Sequence, residues 1–185
     1  MHRIGSKSAH YIVSIKYSWQ IVVKDNSTNN IFGTTTNYDM TGTSAWTQFS
    51  GSTSASPAIA WNPTNNKVEI VVKGASTNNI WGATVNYDMT GFSGWTQIPE
   101  ATPSAPAVAW NDTDKKLEIV TRGTDSNIYG ATTNWSMGGV IGWTQLPSAT
   151  ITPSSPGVGW NSALDQVGVV IQGTDNNVYE WVGIY

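Results

Sequence analysis

The chain has 185 residues, of which 11% are charged and 11% aromatic, and its formal net charge at pH 7 is −3. Because a typical domain is about one quarter charged, and because this chain has no basic cluster, its composition argues against a nucleic-acid partner. The absence of cysteine excludes disulfides and thiol chemistry, and the lack of any run of about 18 apolar residues argues against membrane insertion, but neither feature indicates a compartment.

A repeated pattern covers most of the chain. Residues 1–8, MHRIGSKS, share nothing with it and are set aside as an unmatched leader. From residue 9 onward the pattern recurs four times, and we assign residues 9–185 to a single domain. The approximate repeats are 9–55, 56–103, 104–153 and 154–185. A fixed period of about 49 residues indicates a repeat architecture.

Each repeat begins with three short runs that predict β-strands. In the second repeat, an alternating run ends at Trp61, the turn NPTNN follows at Asn62–Asn66, and KVEIVVK covers Lys67–Lys73. Asn, Asp, Ser and Gly favour tight turns, through left-handed backbone conformations or side-chain bonds to the backbone. A second such turn begins at Gly74, and a third strand starts with NIW. Two hairpins therefore link the three strands.

A fourth strand is predicted after a longer connection such as NYDMTGFSG. It is written AWTQF, GWTQI or GWTQL, and it is opened by Trp46, Trp95 and Trp143 in the first three repeats. The fourth repeat has no such run. Each complete repeat therefore predicts a four-stranded antiparallel sheet.

The first strand of each repeat predicts how the sheets pack. Ala58 and Ala60 share one face of this strand, whereas Ile59 and Trp61 share the other. Small residues suit the crowded region near the axis of a β-propeller, and a lone sheet with two apolar faces is not stable. We therefore predict an all-β propeller of four blades of about 49 residues, with the outer strand absent from the last blade. A solenoid is the competing repeat architecture.

The stretch 104–147 carries the motifs S-x-P-A-V-x-W-N, L-E-I-V-x-R-G-T-D-x-N-I-Y and G-W-x-Q-L-P. These motifs resemble the blade repeat of the PLL-like bacterial lectin β-propellers, and the likeness covers about residues 12–185. It is more distant from the tectonin and tachylectin propellers. The resemblance implies binding of fucose-type or related sugars in shallow pockets between adjacent blades. The insertions NYDMTG and NWSMGG depart from the family pattern, as does a count of only four copies.

The surface chemistry of the chain also suits carbohydrate. Sugars present C–H faces that stack on Trp or Tyr, and hydroxyl groups that bond to polar side chains. Candidate sugar-binding residues recur with the repeat, so several equivalent weak sites are expected rather than one central site. They are Trp46, Trp95, Trp143, Trp81, Tyr129, Asn62, Asn111 and Arg122. In contrast, we predict that Trp61, Trp110 and Trp160 lie in the core between blades.

The sequence offers little support for catalysis. A glycosidase needs two carboxyl groups within about 5 to 10 Å of each other, but Glu69 and Glu118 are repeat equivalents and should lie on different blades. Both histidines, His2 and His10, lie close to the N-terminus of the chain, so neither a catalytic triad nor a histidine metal site is indicated. We therefore expect no enzymatic activity, no metal and no cofactor.

These observations predict a multivalent lectin whose partners are glycans or glycoconjugates. The alternative is a non-catalytic propeller with a protein-interaction or structural role, or a fragment of a longer chain. A closed ring of four blades would leave an unpaired edge at 177–182. Two chains could instead join about a two-fold axis into an eight-bladed ring, and we expect this homodimer.

Overall fold

The computed structural model describes residues 7–15 by their backbone, and residues 18–147 and 152–184 in full. Within these ranges the chain forms fifteen β-strands and no helix, so no described helix is long and apolar enough to cross a membrane. The strands are β1 (Lys7–Ile15), β2 (Ser18–Asp25), β3 (Asn30–Asn37), β4 (Thr47–Ser52), β5 (Ala58–Asn62), β6 (Lys67–Lys73), β7 (Asn79–Asn86), β8 (Thr96–Ala101), β9 (Ala107–Asn111), β10 (Lys116–Arg122), β11 (Ile128–Thr133), β12 (Ile141–Gln145), β13 (Gly157–Asn161), β14 (Gln166–Gln172) and β15 (Val178–Gly183).

The strands form four antiparallel sheets that follow the chain. The first three sheets are β1 to β4, β5 to β8 and β9 to β12, and the fourth contains β13 to β15. The predicted four-stranded unit is therefore confirmed in the first three repeats. β1 begins at Lys7, so it takes in two residues of the segment set aside as a leader. The remaining leader residues, 1–6, lie outside the described residues.

The hairpin turns form for the reasons that the sequence suggested. The Asn62 side-chain oxygen accepts a hydrogen bond from the backbone N–H of Thr64 at 3.0 Å, which closes an Asx turn. Asn66 ends the same turn with a φ of 55°. Asparagine tolerates this left-handed conformation better than most residues, so the turn fixes the pairing of β5 with β6.

Successive sheets pack through their first strands, β1 against β5, β5 against β9 and β9 against β13. The small face of β5, with Ala58 and Ala60, lies in one apolar cluster with Trp110 of the next sheet. The opposite face, with Ile59 and Trp61, packs on the preceding sheet. The predicted small and large faces are therefore confirmed. Trp110 is buried between sheets at 9% exposure, as predicted, whereas Trp61 and Trp160 are partly buried and pack against the neighbouring clusters.

The long connections before β8 and β12 each carry a methionine that packs on the preceding sheet. Met89 and Met137 are 1% and 2% exposed. A Cβ on Gly33 of the preceding sheet would lie 2.8 Å from the Met89 sulfur and 2.6 Å from the Phe49 ring, and a Cβ on Gly82 would lie 2.6 Å from the Met137 sulfur. Glycine at these two strand positions therefore leaves room for the methionine and, at Gly33, also for Phe49. The insertions NYDMTG and NWSMGG thus fasten neighbouring sheets together.

Both ends of the series of sheets leave apolar side chains uncovered. In the fourth sheet Val178 is 74% exposed, whereas its repeat equivalents Ile80 and Ile128 are 0% and 2% exposed under the following sheet. In the first sheet Met40 is 51% exposed, although Met89 and Met137 are buried. Each of these faces is buried wherever the described chain provides a neighbouring sheet.

Candidate functional site

Two clefts lie between successive sheets at repeat-equivalent positions. In each, the fourth strand of one sheet forms one wall, and the next sheet supplies the floor and the other wall. The first cleft encloses about 170 Å³ and is lined by Gly51, Ser52, Val72, Gly74, Trp81 and Trp95. The second encloses about 420 Å³ and is lined by Glu100, Ala101, Thr121, Gly123, Thr124, Asp125, Tyr129 and Trp143. The lining of the first cleft recurs in the second, 48 or 49 residues later.

A β-bulge builds the wall of the first cleft. The pairing of β3 with β4 skips Ser50 and Gly51, and Trp95 of the next sheet donates its Nε1–H to the carbonyl oxygen of Ser50 at 2.5 Å. Gly51 has a φ of +84°, and a Cβ there would stand 2.9 Å from Trp95 Nε1. The bulge therefore presents a carbonyl group to the indole, and glycine leaves room for the ring.

The second cleft repeats this arrangement with one substitution. The pairing of β7 with β8 skips Pro99 and Glu100, and Trp143 donates its Nε1–H to the carbonyl oxygen of Pro99 at 2.6 Å. Glu100 occupies the position of Gly51 and has a φ of 105°. A non-glycine residue in this region of backbone space is strained. The bulge therefore places a carboxylate at the rim of the second cleft, whereas the same position in the first cleft has no side chain.

The wall tryptophans are held in place by their surroundings. Phe92 lies edge-on to Trp95 with a centroid distance of 5.3 Å, and Phe92 itself stacks on Phe49 at 5.2 Å. Trp143 packs with Val140 against the cluster between the second and third sheets. Both indoles are half-buried. Each cleft therefore contains an aromatic surface that needs little further ordering to bind a ligand.

Trp81 and Tyr129 form the floor of the two clefts, and a glycine beside each ring makes room for it. A Cβ on Gly123 would lie 2.7 Å from the Tyr129 ring. The Tyr129 hydroxyl donates to Asp125 Oδ2 at 2.8 Å, and Asn127 Nδ2 donates to the same oxygen at 2.8 Å. The bonds from Asn127 and then Tyr129 hold the pKa of Asp125 below its usual range, and the bond to Asp125 raises the pKa of Tyr129. The Asp125 carboxylate is therefore ionised at neutral pH.

The structure places the predicted aromatic contacts Trp81, Trp95, Tyr129 and Trp143 together in the clefts. Trp46 is half-buried directly before β4 and lines neither cleft. Arg122 is half-buried at the end of β10, next to Gly123, and is not among the lining residues.

Asn62 and Asn111 do not reach either of these clefts. Their side-chain nitrogens donate to Glu69 and Glu118, each at 2.7 Å, and Asn62 is 0% exposed. Asn111 lies beside a separate hollow of about 240 Å³ at the other end of the third and fourth sheets. Both residues therefore serve the fold, because the buried carboxylates need their amide donors.

The buried glutamate of the second sheet has a raised pKa. Glu69 is 0% exposed, and its Oε2 has no hydrogen-bond partner. Burial raises the pKa of Glu69 to about 7, although the bond from Asn62 opposes the shift. Among the described residues, no group of three His, Cys, Asp or Glu side chains is placed to hold a metal ion.

The two charged residues of the second cleft were missed by sequence reasoning. Asp125 lies in the turn GTDSN, four residues before Tyr129, so its place beside a candidate residue was an available signal. Glu100 could have been found by aligning the repeats, since it replaces Gly51. Both side chains are exposed.

No protein-family model matches the chain, and no curated protein matches it. Solved structures match over nearly the whole chain. A fungal fucose-binding lectin from Aleuria aurantia, described as a six-bladed β-propeller, is 14% identical to this chain, with a TM-score of 0.59. The match covers 90% of this chain and 53% of the lectin chain. SapL1 lectin in complex with α-methyl fucoside is 13% identical, with a TM-score of 0.63, over 95% of this chain and 59% of its own.

An enzyme shares the same architecture. An α-L-arabinofuranosidase from Podospora anserina, in complex with cellotriose, is 10% identical with a TM-score of 0.64, and covers 98% of this chain and 66% of its own. The chain thus spans little more than half the length of the lectins that it matches. The likeness establishes a propeller-type all-β fold, which serves both lectins and glycosidases.

Proposed function

We propose that this chain is a carbohydrate-binding lectin that holds a sugar in each of the two clefts between its sheets. The observation that carries the proposal is the recurrence, in two successive clefts, of a fixed tryptophan wall and an aromatic floor. The motifs that resemble PLL-like lectins and the fucose ligands of the structural neighbours both support it. Fucose and related neutral sugars are therefore the first ligands to test.

The clefts offer the two kinds of contact that a sugar needs. Trp95 and Trp143 present indole surface for the C–H face of the ring. In the second cleft, Thr121, Thr124 and Asp125 line the space where hydroxyl groups would lie, and hydroxyls both donate and accept. Sites of this size and openness bind single sugars weakly, so recurring sites would add avidity on a glycan-bearing surface.

Hydrolysis is the second candidate, because arabinofuranosidases share the fold. A glycosidase requires a carboxylic acid that stays protonated to deliver its proton to the leaving group. In the second cleft Asp125 is kept ionised by Asn127 and Tyr129, so it cannot be this acid, and the role would fall to Glu100, the other carboxyl group of the cleft, which is exposed. We expect binding without turnover. Incubation with arabinoxylan and with nitrophenyl arabinofuranoside should release no product, and release above a buffer blank would favour the enzyme.

Binding should be tested by titrating the protein with L-fucose and α-methyl fucoside, followed by tryptophan fluorescence and calorimetry. The double variant Trp95→Ala and Trp143→Ala should lose all binding. Trp135→Ala is the matched control, since Trp135 is 54% exposed and lies outside both clefts. Unchanged binding by the folded double variant would contradict the proposal. A propeller that binds only proteins would respond to no monosaccharide.

We also propose that two copies of the chain associate through the uncovered faces of the first and fourth sheets. The repeat equivalents of Val178 and Met40 pack in one apolar cluster at the first two internal junctions, Ile31 with Met89 and Ile80 with Met137. Glu180 is the repeat equivalent of Gly33 and Gly82, the glycines on which a methionine packs at the internal junctions. Because a glutamate side chain occupies that space, the contact between two copies would be weaker than the internal ones. Light scattering should give twice 19.9 kDa at high concentration. Val178→Lys should reduce the mass to one chain, whereas a single-chain mass for the unmodified protein at every concentration would contradict association.

A further inference from the structure

The two clefts differ in charge although their aromatic framework is the same. None of the residues that line the first cleft carries a charge. The second cleft is lined by two carboxylates, Glu100 and Asp125, and by no cationic residue. Since both carboxylates are exposed to the cleft space beside Tyr129 and Trp143, the second cleft combines negative charge with two electron-rich rings.

We propose that Glu100 makes the second cleft a site for a ligand that bears an ammonium group, foremost a sugar with a free amine. This rests on the proposed function, and it assigns to one cleft a ligand class that the other lacks. An ammonium group gains from a carboxylate and from the faces of aromatic rings at once. A sugar carboxylate in the same place would be repelled by Glu100 and Asp125.

The position of Glu100 gives this charge a fixed location. Glu100 lies in the bulge whose carbonyl group, on Pro99, accepts the indole N–H of Trp143. The backbone at Glu100 and the ring of Trp143 are thus tied to the same structural unit. The bond to Asp125 raises the pKa of Tyr129 most, and the negative charge of Glu100 adds to this rise. The equivalent residue in the first cleft, a glycine, has no side chain.

Asp125 places a second carboxylate on the wall opposite Glu100. Asp125 belongs to the third sheet, whereas Glu100 belongs to the second. Asp125 is oriented by hydrogen bonds from Asn127 and Tyr129 at 2.8 Å. A cationic group in the cleft would therefore have a carboxylate on each side and an aromatic ring below it.

The test follows the indole N–H signals of Trp143 and Trp95 by NMR, so that each cleft is read separately in one sample of the full chain. The probes are glucosamine, N-acetylglucosamine, glucuronate and ethanolamine, at about pH 6, where a carboxylate is ionised and an amine is protonated. Glucosamine should bind at Trp143 about two- to fivefold more tightly than N-acetylglucosamine, a preference typical of an exposed ion pair. At Trp95 glucosamine and N-acetylglucosamine should bind equally. Glucuronate should not bind at Trp143.

Two variants separate charge from backbone strain. Glu100→Gln removes the charge, and Glu100→Gly also restores the residue type of the first cleft. Both should reduce the preference at Trp143 to what Asp125 alone supplies, and Asp112→Asn, which removes an exposed carboxylate in the turn between β9 and β10, should keep it in full. Equal binding of glucosamine and N-acetylglucosamine at Trp143 in the unmodified protein would overturn the inference while leaving the lectin proposal intact. Glu100-dependent binding of ethanolamine with no response to any sugar would support the ammonium site and overturn the lectin proposal.

Discussion

Trp143 of the third sheet donates its indole N–H to the carbonyl oxygen of Pro99 in the second sheet, at 2.6 Å. The bulge that contains Pro99 frees this carbonyl group from the pairing of β7 with β8. The same bond joins Trp95 to Ser50 one repeat earlier. These tryptophans therefore both fasten neighbouring sheets and form the wall of a cleft.

The first prediction separates these two roles. Trp143→Phe keeps an aromatic ring but removes the donor to Pro99, so it should lower the free energy of unfolding by about 1 kcal/mol and weaken fucose binding only partly. Trp143→Ala should weaken binding about tenfold or more. Urea unfolding and calorimetry on both variants provide the measurement. If Phe and Ala weakened binding equally, the ring would not be the stacking surface.

The second prediction concerns the small residues of the first strands. Ala60 is 6% exposed and faces the next sheet, so Ala60→Leu should overfill this junction and destabilise the protein by about 1 to 3 kcal/mol. Gly159 is its equivalent in the fourth sheet, and a Cβ added there would have no atom within 4 Å. Gly159→Ala should therefore be neutral or slightly stabilising. A tolerated Ala60→Leu in urea unfolding would show that the junction is not close-packed.

The third prediction follows from the pKa of Glu69, which burial raises from 4.5 to about 7. Between these two values Glu69 releases its proton in the unfolded chain but keeps it in the folded chain. The contribution of Glu69 to the free energy of unfolding therefore falls as the pH rises from about 4.5 to 7. Glu69→Gln should remove this fall and should be more stable above pH 7, by an amount on the order of 2 kcal/mol. Gln20 is the natural equivalent in the first sheet, where it is 0% exposed.

Urea unfolding of the unmodified protein and Glu69→Gln at a series of pH values tests this directly. The two proteins should be nearly equal in stability at about pH 4 and diverge towards neutrality. Parallel curves across the whole range would mean that Glu69 does not change its ionisation on folding.

The fourth prediction tests the assignment of Asn62 to the fold. Asn62→Ala leaves the buried Glu69 without its amide donor, so it should cost about 1 to 3 kcal/mol of stability. Its affinity for fucose should equal that of the unmodified protein, since Asn62 lies outside both clefts. A loss of affinity in a variant that is still folded would restore the sugar-binding role that the sequence suggested.

The strand arrangement was predictable because the same pattern of strands and turns recurs in each repeat. Alternating runs, asparagine-rich turns and the Ala and Trp faces of the first strand all recur with one period, and packing between sheets follows from those faces. The clefts were predictable in part, because Trp95 and Trp143 follow long connections at the sheet edge where walls form.

The remaining features depend on geometry that residue types do not reveal. Asn62 looks like a surface turn residue, but it faces Glu69 across the hairpin seven positions later, and this pair is buried as a unit. Glu100 follows a strand-like run, and nothing in the letters Pro-Glu indicates a bulge with a φ of 105°. The role of the long connections also required the structure, since Met89 meets Gly33 of a different sheet.

We propose above all that sugars bind in the tryptophan clefts between sheets. The indole N–H signals of the ten tryptophans, assigned with single Phe variants and followed by NMR during titration with L-fucose, test this proposal. The signals of Trp95 and Trp143 should shift and saturate, while those of the core residues Trp61, Trp110 and Trp160 stay in place. Saturable binding that leaves the Trp95 and Trp143 signals unmoved, or no binding at all, would show that these clefts are not fucose sites.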